Sequence, residues 1–286
     1  MDEIKSERRR KLNSNPLIEK IRQARLFSFD LDGTTILGSK PLKGVKELLE
    51  YLFKHKKVVF MTNNSSKTNA LHAEHLSKIF DMKIDESRLM SALDSMELFL
   101  KERSFKRIYP FLNERVRSYL SKEFIFDDVK PDVIVVGFNT DATYSQLQKV
   151  SRLIFEGIPY ILVHPDLRCP TDFGYIPDAG SFAKIFELTT QRKPLWIGGK
   201  PNHIMIKGLV NKYDVDEEEI VYVGDRLYTD VEMVRKSEAC GVLVLTGETS
   251  LEEFKRYEKR THVSNVLVVE NAEELLKMIS NRVFKD

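Results

Sequence analysis

Short apolar runs alternate with amphipathic stretches along this chain. Leu26 to Phe29 is mostly apolar and β-prone, and no long helical face accounts for it, which predicts a buried strand of a parallel sheet. Gly44 to Lys54 places Val45, Leu48, Leu49 and Leu52 on one helical stripe, and Lys57 to Met61 reads as a second buried strand. A helix over about 67–80 is expected next, with Ser65 or Ser66 as its N-cap. From about Asp85 the rhythm restarts. Helices over Ser91 to Glu102 and Ser145 to Glu156, with strands at Arg107 to Tyr109, Val133 to Gly137 and Tyr160 to Val163, suffice for an α/β unit of their own. The Pro- and Gly-dense stretch from His164 to Gly180 marks a boundary, and Ser181 is expected to cap the helix after it. Leu195 to Ile197, Ile220 to Val223, Val242 to Leu245 and Val266 to Val269 read as further strands, with Pro201 opening a helix to about Lys212 and a last helix over Ala272 to Ile279. The prediction is an α/β fold on a parallel sheet.

Composition narrows this picture without changing it. The 286 residues suit one large domain or two ordinary ones, and 42% hydrophobic with 31% charged residues is the balance of a globular protein with a real core. A net charge of +2 gives no strong pull toward nucleic acid or membrane. The basic run Arg8 to Lys11 reads as a solvated start, and Met1 to Arg10 lacks an apolar signal core. Two distant cysteines, Cys169 and Cys240, do not suggest a disulfide framework, so a reduced cytoplasmic setting is expected.

The chemistry lies at strand ends. Asp30 and Asp32 close the first strand, and Gly33 follows. They flank Leu31 and diverge in a regular strand, but a turn at Gly33 could bring both to one pocket, where open α/β sheets bind ligands. Two close carboxylates repel each other, and a bound cation compensates; oxygen-only ligation suits Mg²⁺. One carboxylate can attack an electrophile while the other exchanges protons. The bland alternative is an Asp-Gly turn after a strand. Thr62-Asn63-Asn64-Ser65-Ser66 makes an anion site of backbone N–H groups or an ordinary strand-to-helix loop. Lys200, behind Gly198 and Gly199, holds a phosphoryl group or sits in solvent. Asp225 ends another strand, and Asp230 either points back toward it or is a helix-start charge.

Taken in order, these residues resemble the four motifs of the haloacid dehalogenase superfamily: D-x-D-G-T at Asp30, a strand-end Thr at Thr62, Lys200, and G-D-x-x-x-x-D from Gly224 to Asp230. Thr62-Asn63-Asn64-Ser65, His164-Pro165-Asp166, Ile176 to Ser181, Gly199-Lys200-Pro201 and Gly224 to Leu227 are similar to the NagD-like, p-nitrophenylphosphatase branch. His164 stands where Asn is more usual in bacterial members.

The resemblance implies a Rossmann-like parallel-sheet core at 1–87 and 180–286, with an inserted α/β cap at 88–179. It implies a Mg²⁺-dependent phosphatase of small phosphorylated metabolites. Asp30 would be the nucleophile and Asp32 the acid and base. Thr62, Asn63 and Lys200 would bind the phosphate. Asp30, the Asp32 carbonyl and Asp225 would hold the metal, with Asp230 behind them. His164, Asp166 and Arg168 are the cap residues expected near substrate. Arg226 either approaches the phosphate or is a surface charge, and a homodimer through the cap stays open. The competing reading is a binding or regulatory protein that kept this fold and lost turnover.

Overall fold

The computed structural model describes residues 16–171 and 173–280, so the basic run Arg8 to Lys11 lies outside the described residues. The chain divides into two compact units. One takes the chain up to Met61, Ser77–Met82 and the described residues from Ile206 onward; the other takes Thr62–Leu76 and Lys83–Met205. The block expected at 88–179 falls inside the second unit's numbering.

Within the first unit, five strands lie side by side in the order Val266–Val269, Cys240–Val244, Ile220–Gly224, Leu26–Phe29 and Lys57–Thr62. All neighbouring pairs are parallel. Leu26–Phe29 is central and has all four residues buried, which is why it reads as an unbroken β-prone run rather than an alternating one. Phe29 lies 6.4 Å, centroid to centroid, from both Phe27 and Phe60. The helix Val45–His55 buries Val45, Leu48, Leu49 and Leu52, the stripe its sequence spacing predicts.

The second unit has its own parallel sheet, in the order Trp196–Ile197, Tyr160–Leu162, Val133–Val136, Arg107–Phe111 and Ile125–Phe126. Val133 and Val135 face one core with Leu93, Met96 and Ile161; Ile134 and Val136 face the other with Leu153, Phe182 and Phe186. Burial on both faces again erases the alternation.

Several local expectations are corrected. The helix expected from about residue 67 runs over Asn69–Phe80, and Ser65 is not its cap. Ser65 Oγ instead accepts the Phe138 N–H at 3.2 Å and meets His164 Nε2 at 2.9 Å. The helix Ala179–Thr190 is capped by Asp178, not by Ser181, because the Asp178 carboxylate accepts the buried Ala179 N–H. Pro201 does not open a helix; the Lys200–Pro201 peptide is cis and the helix begins at Ile204. The stretch read as loop contains an antiparallel hairpin, Arg168–Thr171 with Gly174–Pro177. No helix of the described residues is long and apolar enough to cross a membrane.

Candidate active site

In the first unit the acidic residues gather at the carboxyl ends of two adjacent strands. Leu26–Phe29 delivers Asp30, whose N–H donates to the Val223 carbonyl at 2.9 Å, and Ile220–Gly224 delivers Asp225. Carboxylate oxygens of Asp30, Asp225 and Asp230 lie within 4.8 Å of one another, and all three residues are buried. Asp32 is half-buried and is not a member of this carboxylate cluster. The loop behind Asp30 curls tightly, with the Leu31 carbonyl accepting the N–H groups of Thr34, Thr35 and Ile36. Gly33 sits at φ +85°, a conformation that favours glycine.

The Asp225 carboxylate is fixed from several sides. Oδ1 accepts the Thr34 hydroxyl at 3.2 Å, and Oδ2 accepts the Glu248 N–H at 2.8 Å. A Cβ on Gly33 would come 2.5 Å from Asp225 Oδ2, and one on Gly247 would run into the same carboxylate. Asp230 reaches back across the turn Leu227–Val231, a π-type turn whose length suits the five-residue spacing. Its Oδ2 accepts the Asp225 N–H at 3.1 Å and the Arg226 N–H at 3.0 Å, and its Oδ1 accepts the Tyr222 hydroxyl at 3.1 Å. Asp230 thus organises the loop that presents Asp225. Burial, with the charges of Asp230 and Asp30, pushes the Tyr222 phenol well above its usual range, so it remains a donor.

Arg226 brings positive charge to this cluster. Burial alone would lower its basicity, but the charges of Asp30, Tyr228 and Asp225 outweigh that and raise it. Its Nε lies 3.2 Å from Glu248 Oε2.

Three buried carboxylates, one of them seated in the space that two glycines leave, form a donor set for a hard cation. Oxygen-only ligation suits a divalent ion of the Mg²⁺ or Ca²⁺ type, and a cation offsets the repulsion that the cluster otherwise carries. These residues fit such an ion.

The second unit carries the other candidates. Thr62, Asn63 and Lys200 are all buried. Thr62 Oγ1 accepts the Asn64 N–H at 3.0 Å, and Asn64 Oδ1 accepts the Ser66 N–H at 3.0 Å, so side chains tie this turn to its own backbone. Asn63 lies against Lys200: its Oδ1 accepts the Lys200 N–H at 2.7 Å, and its Nδ2 donates to the Lys200 carbonyl at 3.1 Å. Asn63 Nδ2 also donates to Asp166 Oδ1 at 3.1 Å. His164 is fully buried, with Nδ1 3.7 Å from Asp166 Oδ2. Arg168 differs: it is exposed, with its guanidinium 4.3 Å from the centre of the Tyr175 ring. The structure therefore brings Asp166 and His164 to Asn63, and places Arg168 on the hairpin.

The turn has a support that the sequence did not signal. His72 Nε2 meets the Asn64 carbonyl at 3.1 Å, which requires the proton on Nε2. Burial, with Lys67 and His75 adding to it, lowers its pKa to about 4 despite that hydrogen bond. A His that is neutral when folded and near 6.5 when unfolded takes up its proton first in the unfolded state. Its contribution is therefore present above about pH 6.5 and is lost as pH falls toward 4, up to about 3 kcal/mol. Urea unfolding at pH 7 and pH 4.5 is expected to show a smaller acid loss in His72→Gln than in wild type; equal losses would remove His72 as the cause.

Gly247, Glu248, Thr34 and Tyr222 were not among the sequence candidates. The model of the haloacid dehalogenase-like hydrolases matches residues 27–124, and a second model, described as HAD-hydrolase-like, matches residues 197–271. The crystal structure of 4-nitrophenylphosphatase from Thermotoga maritima is 34% identical with a TM-score of 0.84, covering 91% of this chain and 99% of that one. An acid sugar phosphatase of Staphylococcus haemolyticus is 27% identical, over 82% of this chain and 90% of its own length. NagD from E. coli K-12, at 24% identity, shares the fold with a TM-score of 0.78 over 88% of this chain and 98% of that one. The chain belongs to the haloacid dehalogenase-like hydrolases, and its place among them is with the phosphatases.

Proposed function

We propose that this protein hydrolyses phosphomonoesters of small metabolites, with Asp30 as nucleophile and Mg²⁺ as the resident ion. The observation that carries the reading is the buried meeting of Asp30 with Asp225 and Asp230 at the ends of two neighbouring strands. Such a cluster is costly unless a cation offsets its repulsion, and clustered buried carboxylates of this kind mark functional sites. Sugar phosphates and p-nitrophenyl phosphate are the first esters to try, since relatives carry those names.

The Asp30 carboxylate attacks phosphorus, the P–O bond to the leaving alcohol breaks, and Asp32 supplies the proton to that oxygen. Water then attacks the aspartyl phosphate, Asp32 takes its proton, and inorganic phosphate leaves with Asp30 restored. The Asp30 carboxylate, the Asp32 backbone carbonyl and Asp225 would hold Mg²⁺, which would supply charge neutralisation at the phosphoryl oxygens. Asp230 keeps the Asp225 loop in place. Thr62, the Asn63 backbone amide and Lys200 hold the phosphoryl oxygens, so the chain acts mainly by positioning and charge neutralisation. In the same reading, residues 88–179 are a cap on a core of 1–87 and 180–286. That cap is also the face for a homodimer, and the setting is cytoplasmic.

Phosphate release from a panel of phosphomonoesters, with Mg²⁺ or with EDTA, tests the reading. We expect release with Mg²⁺ and its loss, by about 100-fold or more, in EDTA. No release from any ester by folded, metal-loaded protein would remove general phosphatase activity and leave a binding role.

A further inference from the structure

Asn63 and Asp166 are expected, on the resemblance alone, to touch phosphate and substrate. Their side chains are engaged elsewhere. The Asn63 amide lies flat along the Lys200 backbone, accepting its N–H at 2.7 Å and donating to its carbonyl at 3.1 Å. One polar group from each of the two peptide units flanking the Lys200 Cα is thereby held by a single side chain. The second Nδ2 proton goes to Asp166 Oδ1 at 3.1 Å. Turned over, the amide would set its NH₂ against the Lys200 N–H, and its oxygen against a carbonyl and a carboxylate. Three neighbours therefore agree on one orientation, and Asp166 contributes the acceptor for the second Nδ2 proton.

The surroundings keep this arrangement rigid. Gly199 is at φ +63°, and a Cβ there would come 2.6 Å from Asn63 Oδ1 and 2.9 Å from the His164 Cβ. The Gly199 N–H donates to Ser95 Oγ at 3.1 Å, and Ser95 Oγ donates to the Ala92 carbonyl at 2.8 Å. His164, beside Asp166, is fully buried and held to Ser65. Asn63, Ser95 and Lys200 are buried, so water does not substitute readily for a lost bond.

We propose that Asn63 and Asp166 are a positioning pair: Asp166 orients the Asn63 carboxamide, and the carboxamide clamps the backbone of Lys200, setting where that lysine's ammonium group stands. The proposal rests on the phosphatase reading for what Lys200 does, but not for the clamp itself. It moves Asp166 from the residues that select substrate to those that build the phosphoryl site. Two consequences follow. The negative charge of Asp166 is dispensable provided an acceptor remains. Damage at Asp166 is also the same for every ester, since all share the phosphoryl group.

The test is steady-state kinetics on p-nitrophenyl phosphate and one sugar phosphate for wild type, Asn63→Ala, Asp166→Ala, Asp166→Asn and the double alanine variant. Inorganic phosphate serves as a competitive inhibitor throughout. Asn63→Ala is expected to lower kcat about 100-fold, the scale of a displaced catalytic group. Asp166→Ala is expected to lower it about 10-fold, equally on both esters, and to weaken phosphate inhibition. Asp166→Asn restores most of that loss, because its Oδ1 accepts as the carboxylate does. The double variant falls no further than Asn63→Ala, since the two act through one path. The proposal is overturned if Asp166→Asn is as damaged as Asp166→Ala, with the loss in KM and different between esters, for then Asp166 reads substrate charge. Additive losses in the double variant overturn it as well. If wild type releases no phosphate, the phosphatase reading fails, and the same variants still test the clamp by thermal unfolding. There the melting shifts of Asn63→Ala and Asp166→Ala are expected to be non-additive, and additive shifts would sink it.

Discussion

Asp30→Asn is expected to lose phosphate release by roughly 10⁴-fold or more, on the scale seen when a nucleophile is removed. The carboxamide has nearly the shape of the carboxylate, so the strand end and its hydrogen bond to the Val223 carbonyl are kept. What disappears is the proposed nucleophile and one of three charges packed within 4.8 Å. The second loss gives the variant a signature that a misfolded protein lacks. With less repulsion in the cluster, its melting temperature in EDTA is expected to equal or exceed that of wild type. Adding Mg²⁺ is expected to raise it by less than in wild type, because one of the proposed ligands is missing. Activity within tenfold of wild type, with mass spectrometry excluding deamidation back to Asp, would remove Asp30 as the nucleophile.

Gly247→Ala is the second large effect, at a residue with no reacting group. Its Cβ would fall on the Asp225 carboxylate, 2.5 Å from Cγ and 2.7 Å from Cβ. Asp225 has nowhere simple to go, because Thr34 holds Oδ1 and the Glu248 N–H holds Oδ2. Either the carboxylate turns away or the loop carrying Gly247 lifts. Divalent-cation affinity is expected to fall about 10- to 100-fold by calorimetry, and kcat/KM about 100-fold. Gly38→Ala is the control. Gly38 has a positive φ, +61°, which Gly247 does not, and nothing lies within 4 Å of its Cβ position. It is expected to cost about 1 kcal/mol of stability and leave metal affinity alone. Wild-type cation binding by Gly247→Ala would show that the space beside Asp225 is not needed.

The parts that were legible in the sequence are those where one requirement dominates. Leu26–Phe29 had to read as a nearly unbroken apolar run because both its faces are covered, and Asp30 stood out against it. The spacing of Asp225 and Asp230 carried the turn that brings Asp230 back to two backbone N–H groups. The parts that were not legible depend on partners far along the chain. Ser65 looks like a cap from its neighbours, but its hydroxyl is taken by Phe138 and His164. The helix Leu251–Thr261 buries only Phe254 and Tyr257 among charged residues, too few apolar positions to stand out. The hairpin from Arg168 to Pro177 carries prolines at 170 and 177, which read as loop although a two-stranded ribbon tolerates them at its edges. Gly247 was silent for a different reason. It contributes by lacking a side chain, and local sequence does not say what lies beside it.

The pairing of Leu26 with Ile220 has a cost that is felt only while the protein is being made. About 190 residues separate the two strands, and synthesis at about 5–20 residues per second takes roughly 10–40 s to cover that distance. For that time Phe27 and Phe29 have left the ribosome with one edge of their strand unpaired. The second unit, whose residues all lie between the two strands, can be completed first. The nascent chain therefore carries an open apolar strand edge for most of its translation, and that edge is where a chaperone has the most to cover.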